Sequence, residues 1–299
     1  MTLEIPAEFA SDIVDRDGGA GREWLRRLPR VVSELCDAWQ LVPEGSSWYG
    51  YCAIALPVRR SDGTPAVLKV SWPGPDQAPE APTLRAWDGD GAVRLFDHDA
   101  ERWALLLERL DAGRDLTGEP IGEAVGIIGS LLARLHRAPA PAEVPRLADM
   151  AARWAEQIPA LWSEAAPPWS ERVLDEVVAT CHELGDDVDG RLLHVDLHFE
   201  NVLAAERAPW LAIDPKGLVG DPAFESSPVL WNRFDEYTAH RDVVRRLDAW
   251  CEAAGIDRTR ARAWARVRMV EDAIDRLTSA SGDERDVEVH RYLLDALPT

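Results

Sequence analysis

Beyond an N-terminal helical stretch, the spacing of apolar residues changes near Asp111 and reverts only over the short stretch 191–223. Between Trp39 and Asp111 the apolar residues come in short runs. Tyr51–Val58 and Ala66–Val70 flank R-R-S-D-G-T-P, whose Asp62-Gly63 pair signals a hairpin. Val93–Phe96 and Trp103–Leu107 read as two further strands. Between the hairpin and these strands, Trp72–Pro82 carries four prolines and predicts a loop, with a short helix from Pro79 to Trp87. Upstream, from Gly21 to Trp39, apolar residues at Trp24, Leu25, Leu28, Val31, Val32, Leu35 and Trp39 keep a helical period, with a kink or a break expected at Pro29.

After Asp111 a period near 3.6 predicts helices over Ile121–Arg137, Ala148–Trp162, Trp169–Gly185, His240–Ala254, Arg258–Leu277 and Glu284–Leu297. The island 191–223 breaks that pattern with short runs at Arg191–Val195, Val202–Ala204 and Trp210–Ile213 between charged and Gly/Pro turns. At 299 residues the chain exceeds one ordinary domain of about 100–200. The pattern therefore predicts an α+β, bilobal chain. A small antiparallel-sheet lobe with a helical N-terminal extension is expected over 1–107, and a larger, mostly helical lobe over 108–299.

Lys and Arg number 33 against 53 Asp and Glu, a net charge of −20 spread along the chain. Such a field disfavours nucleic acid and anionic membrane as partners and favours cationic ligands, while the plainer reading is a solvated acidic surface. Cys36, Cys52, Cys181 and Cys251 have no metal-like spacing and read as reduced thiols of a cytoplasmic protein. The acidic N-terminal stretch lacks the pattern of a signal peptide, and no run reaches the ~20 apolar residues of a membrane span.

The island holds the chemistry. His194-Val-Asp196-Leu-His198-Phe-Glu-Asn201 is followed by an apolar run ending at Asp214. Asp196 follows a strand end, so its carboxylate is presented on a loop. A carboxylate and an amide oxygen on adjacent loops are hard ligands of the kind Mg²⁺ takes, and a further carboxylate can accept a hydroxyl proton. Metal, positioning and base are what phosphoryl transfer requires. Read singly, Asp196 and Asp214 are ordinary turn residues and His194 a satisfied core histidine; the string as a whole argues for the chemistry.

H-x-D-L-x-x-x-N resembles the catalytic loop of the protein-kinase superfamily. With I-D-P-K-G-L-V-G-D-P-A-F-E after it, the chain is similar to the antibiotic-modifying branch, within it to the streptomycin 6-kinase and hydroxyurea phosphotransferase group. V-R-R-S-D-G-T-P-A-V-L-K, L-L-L-E-R-L and L-A-R-L-H-R-A-P match in order, so the resemblance covers nearly the whole chain. It implies ATP and Mg²⁺ as cofactors and a nucleotide-binding N-terminal lobe. Asp196 would be the base, Asn201 and Asp214 the Mg²⁺ ligands, Lys69 the lysine on the ATP phosphates and Glu80 its ion-pair partner. Leu106–Leu110, including Glu108 and Leu110, would be the hinge that holds adenine through backbone groups. The phosphate loop departs from G-x-G-x-x-G. Gly45, Ser46 and Ser47 are expected to offer backbone N–H groups, with Trp48 and Tyr49 at the loop tip.

Substrate groups are expected beyond Asp214: Asp221, Glu225, Asp235 and Glu271, with Trp231 between them, suit a cationic antibiotic, and solvated helix faces are the alternative. The resulting expectation is a monomeric O-phosphotransferase that inactivates a streptomycin-type aminoglycoside at its 6-hydroxyl. Two alternatives stand beside it: a kinase for hydroxyurea or a small metabolite, and a non-catalytic nucleotide-binding module.

Overall fold

The computed structural model describes residues 3–75, 77–185, 190–278 and 284–298. It divides into two compact units, one running to Gly89 and from Val93 to Leu110, the other made of Asp90–Ala92 and the chain from Asp111.

In the first unit, α1 (Ala7–Ala38) precedes β1 (Val42–Pro43), β2 (Trp48–Tyr49), β3 (Ala53–Arg59), β4 (Pro65–Ser71), α2 (Glu80–Trp87), β5 (Leu95–Asp99) and β6 (Ala104–Glu108). The antiparallel sheet runs β1-β3-β4-β6-β5, and β2 pairs with β3. Alternate residues of β3 and β4 (Ile54, Leu56, Val58; Ala66, Leu68, Val70) are buried, and α1 covers that face with Phe9, Ile13, Leu28, Val32 and Leu35. Two details differ from the sequence expectation. The helix begins at Ala7 rather than Gly21, because Phe9 and Ile13 bury completely in this core and packing outweighs the weak helix propensity of D-R-D-G-G. The break falls at Gly18, whose φ of 56° suits a residue without Cβ, while Pro29 lies inside the helix.

The second unit contains β7 (Asp111–Asp115), α3 (Ile121–Leu135), α4 (Leu147–Ala165), α5 (Glu171–Leu184), β8 (Arg191–Leu193), β9 (Val202–Ala204), β10 (Trp210–Ala212), β11 (Leu218–Gly220), α6 (Ser226–Trp231), α7 (His240–Ala254), α8 (Arg258–Thr278) and α9 (Glu284–Ala296). The apolar stripe of α3 (Val125, Ile128, Leu132, Leu135) is buried, and α3 packs on α7 closely enough that a Cβ on Gly129 would lie 2.6 Å from that of Ala253. The island forms two small antiparallel ladders, β10-β9-β7 and β8-β11. Their connections place two loops side by side, 194–201 and 213–217. All four cysteines are free thiols, and burial pushes Cys181 up to about 11 and Cys251 to about 12. Among the described residues, no helix is long and apolar enough to cross a membrane.

Candidate active site

In the first unit, Lys69 lies on β4 between buried Leu68 and Val70, and its Nζ reaches both carboxylate oxygens of Glu80 at 2.7 Å. The two side chains are 12% and 4% exposed, so this ion pair is held out of water. Glu80 is the first residue of α2, where Pro79 precedes the helix and Pro82 falls in its first turn, whose N–H groups have no intrahelical partner to lose.

Glu108 closes β6. Its backbone N–H donates to Arg94 O at 2.9 Å, and its carboxylate accepts from Arg94 N–H at 3.1 Å; Leu110 ends the unit. Ser46 is exposed, and Ser47 Oγ donates to Glu4 O at 3.1 Å. Trp48 and Tyr49 are not a loop tip: they form β2 and pair with Ala55 and Ile54. The tip is Gly50-Tyr51-Cys52, closed by Gly50 N–H to Ala53 O at 3.0 Å. Arg16 of α1 braces it, donating to Tyr51 O at 2.9 Å with its guanidinium 4.6 Å from the Tyr51 ring centre. The serines lie before the strand, because the β2–β3 register sets the turn five residues beyond Gly45.

In the second unit, Asp196 is half-buried on the β8–β9 loop. The residue before it, Val195, has φ 76°, a left-handed conformation that costs a β-branched residue about 1–3 kcal/mol. Both of its backbone polar groups are clamped. Val195 N–H donates to Glu225 Oε1 at 2.8 Å, and Val195 O accepts from Arg268 Nη1 at 2.8 Å. Glu225 also accepts from His194 N–H, and its other oxygen meets His136 Nε2 in a short contact. Burial alone would raise the Glu225 carboxyl, yet the neighbouring His136 ring and the hydrogen bonds from His136 and the Val195 amide hold it below the ordinary glutamate value.

His194 is fully buried, which lowers its basicity and keeps the ring neutral. Its Nε2 donates to Ile213 O at 2.9 Å, because a carbonyl can only accept, and Nδ1 then accepts from Asp196 N–H at 3.3 Å. One imidazole thus ties the loop bearing Asp196 to the strand end that leads to Asp214.

Asn201 Nδ2 donates to Asp196 O at 2.9 Å, which turns its amide oxygen, an acceptor, the other way, and Ile213 N–H donates to Asn201 O at 2.9 Å. Asp214, at φ 58°, pairs with Lys216 Nζ at 3.0 Å. No three of His, Cys, Asp and Glu gather as a metal cage among the described residues. One amide oxygen and one carboxylate on neighbouring loops suit instead a Mg²⁺ that keeps water and phosphate oxygens in its shell.

The expected substrate acids separate. Glu225 faces inward, as above. Asp221 is also buried, accepting from Ala223 N–H at 3.0 Å, Arg260 Nη2 at 2.7 Å and Trp264 Nε1 at 2.9 Å. Both carboxylates are spent on the protein itself, which corrects their assignment to substrate. Asp235 is exposed and paired with Arg285 at 3.0 Å. Trp231 ends α6 with its ring centre 5.4 Å from that of His198. Glu271 sits on α8, where burial and then the adjacent Asp272 push its carboxyl up to about 8. The folded state therefore keeps a proton that the unfolded chain releases near 4.5, and the stability so gained is lost as pH climbs from about 4.5 through 8. Glu271→Gln, neutral at every pH, is expected to melt above the wild type at pH 9 and close to it at pH 5; a wild-type advantage at pH 9 would contradict this.

Sequence reasoning did not anticipate His136, Arg268 or the inward role of Glu225. The L-A-R-L-H-R-A-P match carried His136 without a role, and nothing local marks Arg268.

A family model described as aminoglycoside/hydroxyurea antibiotic resistance kinase matches residues 38–278. A streptomycin 6-kinase of Streptomyces glaucescens is 43% identical over 277 residues, covering 91% of this chain and 90% of that protein. A hydroxyurea phosphotransferase of Kitasatospora aureofaciens is 42% identical over 297 residues, covering 98% of this chain and 86% of that protein. Among solved structures, a spectinomycin phosphotransferase in complex with ADP and spectinomycin aligns with a TM-score of 0.55 at 15% identity, over 89% of this chain and 93% of that one. That likeness is one of fold, and the expected protein-kinase-like architecture is borne out.

Proposed function

The chain belongs to the aminoglycoside/hydroxyurea antibiotic resistance kinase family, and on that premise we propose that it transfers the γ-phosphoryl group of ATP to a hydroxyl of a streptomycin-type aminoglycoside. The observation that carries the reading is the clamped loop at 194–201. A strained Val195 fixed at both its N–H and its C=O holds Asp196 in one place, and the same hydrogen-bond net fixes Asn201 and the approach to Asp214. Preorganisation of this kind is what a phosphoryl-transfer site needs, because its catalysis comes mostly from positioning and electrostatics.

In this reading Asp196 orients the acceptor hydroxyl and takes its proton on the carboxylate. Asn201 and Asp214 are the residues that would hold Mg²⁺, which when bound neutralises charge on the phosphate oxygens. Lys69, fixed by Glu80, binds the α- and β-phosphates, and the adenine is held by backbone groups at Leu106–Leu110. The phosphate loop is assigned to the turn Gly50–Cys52 in place of Gly45, Ser46 and Ser47. Replacing Lys69 by Met keeps the stem and removes the charge. kcat is expected to fall by roughly 10²–10³, the scale of one lost preorganised electrostatic contact, with the melting temperature little changed. A loss below about threefold would make Lys69 a structural residue.

A second reading, phosphorylation of hydroxyurea, is favoured by the 42% identity to a hydroxyurea phosphotransferase over nearly the whole chain. An ADP-release assay over streptomycin, other aminoglycosides, hydroxyurea and amino sugars tests both. Streptomycin is expected to give the highest kcat/KM, with a KM that rises with salt as attraction between charges is screened. Turnover of hydroxyurea alone, insensitive to salt, would select the second reading.

A further inference from the structure

Of the 33 basic residues in this chain, two are lysines, Lys69 and Lys216, and every other is arginine. A chain that uses arginine almost wherever it needs positive charge keeps lysine where a guanidinium does not serve. Arginine presents a broad planar fork. An ammonium is a compact point charge whose three N–H groups can hold a carboxylate and a phosphate oxygen together. Lys69 has its part in the reaction above. Lys216 has none, and it stands two residues beyond Asp214.

The second unit fixes Lys216 against the loop that bears Asp196. Its backbone N–H donates to His194 O at 3.0 Å, one step past the ladder pair of Leu218 with Leu193. His194 also donates from Nε2 to Ile213 O at 2.9 Å, so a single residue grips the loop 213–217 on both sides of Asp214. Positive φ values at Asp214 and Gly217, 58° and 63°, turn the backbone before and after Lys216. The Lys216 ammonium reaches Asp214 Oδ2 at 3.0 Å, and the two side chains are 28% and 33% exposed. The Lys69–Glu80 pair is buried, whereas this one can be reached by a ligand. Asp196, Asp214 and the phosphates of ATP are all anionic, and Lys216 is the cation that the loop 213–217 itself supplies.

We propose that Lys216 is a further catalytic residue, whose ammonium, held by Asp214, binds the γ-phosphoryl group during transfer. The inference rests on the phosphotransferase reading and deepens it. In the step, the bond from the γ-phosphorus to the bridging oxygen breaks and its electron pair leaves on ADP. The acceptor oxygen bonds to phosphorus, and the acceptor's proton passes to Asp196. Lys216 keeps its protons and donates hydrogen bonds to the non-bridging oxygens, over which the charge of a loose transition state is spread.

The test is Lys216→Met, followed by kinetics at saturating Mg²⁺, by isothermal titration with Mg·ADP and by thermal melts. The acceptor is streptomycin or hydroxyurea, whichever the wild type phosphorylates. kcat is expected to fall by roughly 10²–10³, the scale of one lost preorganised electrostatic contact, with the KM for the acceptor within about threefold of wild type. ADP lacks the γ-phosphoryl group, so the affinity for Mg·ADP is expected to stay within about threefold as well. A lysine that serves only to pair with Asp214 is replaced there by the charge of the metal. A loss of kcat below about threefold at saturating Mg²⁺ therefore overturns the inference and leaves the phosphotransferase reading standing. Affinity for Mg·ADP lowered by about tenfold or more would make Lys216 a support of the metal site, and overturns it equally. Lys216→Arg keeps a charge beside Asp214 and decides the matter if the Met variant does not fold: kcat is expected to drop by about tenfold or more, because a fork replaces a point charge, and wild-type kcat overturns the inference. A wild type that phosphorylates no acceptor overturns the phosphotransferase reading and the inference with it.

Discussion

Asp196→Asn is expected to lower kcat by ~10²–10⁴ while the KM for ATP stays within a few-fold and the melting temperature within a degree or two. The substitution keeps the size and much of the hydrogen-bonding shape of the side chain and removes the capacity to take a proton. The loop itself leans on backbone groups: Asp196 N–H donates to His194 Nδ1 and Asp196 O accepts from Asn201 Nδ2. Neither contact involves the carboxylate, so fold and chemistry separate cleanly at this position. Were Asp196 only a turn-forming residue, the variant would lose melting temperature and keep its activity per folded molecule. Kinetics beside a thermal melt decides between them, and near wild-type kcat in a folded Asp196→Asn protein would end the proposed mechanism.

What the sequence disclosed and what it hid follow from the range of the interactions. The helices from Ile121 onward were legible because their stripes are local and regular: α3 and α7 begin at the expected Ile121 and His240. The Asp62-Gly63 hairpin was legible because turn chemistry is local too. The first half of α1 was not, since its stability comes from Phe9 and Ile13 meeting a sheet formed later in the chain. The turn Gly50–Cys52 has no local mark because only strand register places it, and register is a property of paired segments.

The same logic explains the acids. Glu225 and Asp221 look, in one dimension, like any carboxylates in a polar stretch. Their partners His136, Arg260 and Trp264 are remote in sequence, 39 residues or more away. Burial and pairing decide whether a carboxylate serves a ligand or the fold, and neither is written in local spacing. A recurring string marks Asp196, Asn201 and Asp214 in the sequence, although the left-handed conformation of Val195 beside Asp196 has no sequence signature.

That distinction makes Glu225 the second informative position. Its carboxylate accepts from the His194 and Val195 amides and touches His136, all inside the second unit and with 1% of the side chain exposed. Glu225→Ala leaves two buried N–H groups and an imidazole without their acceptor and frees Val195 to leave its left-handed conformation. Breaking one partner from a buried charged network costs about 3–5 kcal/mol, which corresponds to a melting temperature lower by on the order of 10 °C. Because relaxation of Val195 would move Asp196, kcat of the folded fraction at low temperature should also fall, with the KM for the acceptor nearly constant. Glu225→Gln keeps an oxygen for the amides and should lose less on both counts. A substrate-binding Glu225 would show the opposite division: a raised KM for a cationic acceptor, an unchanged melt, and Gln as damaging as Ala. Melting curves and acceptor kinetics of the two variants, measured side by side, distinguish a residue that holds the loop from one that holds the ligand.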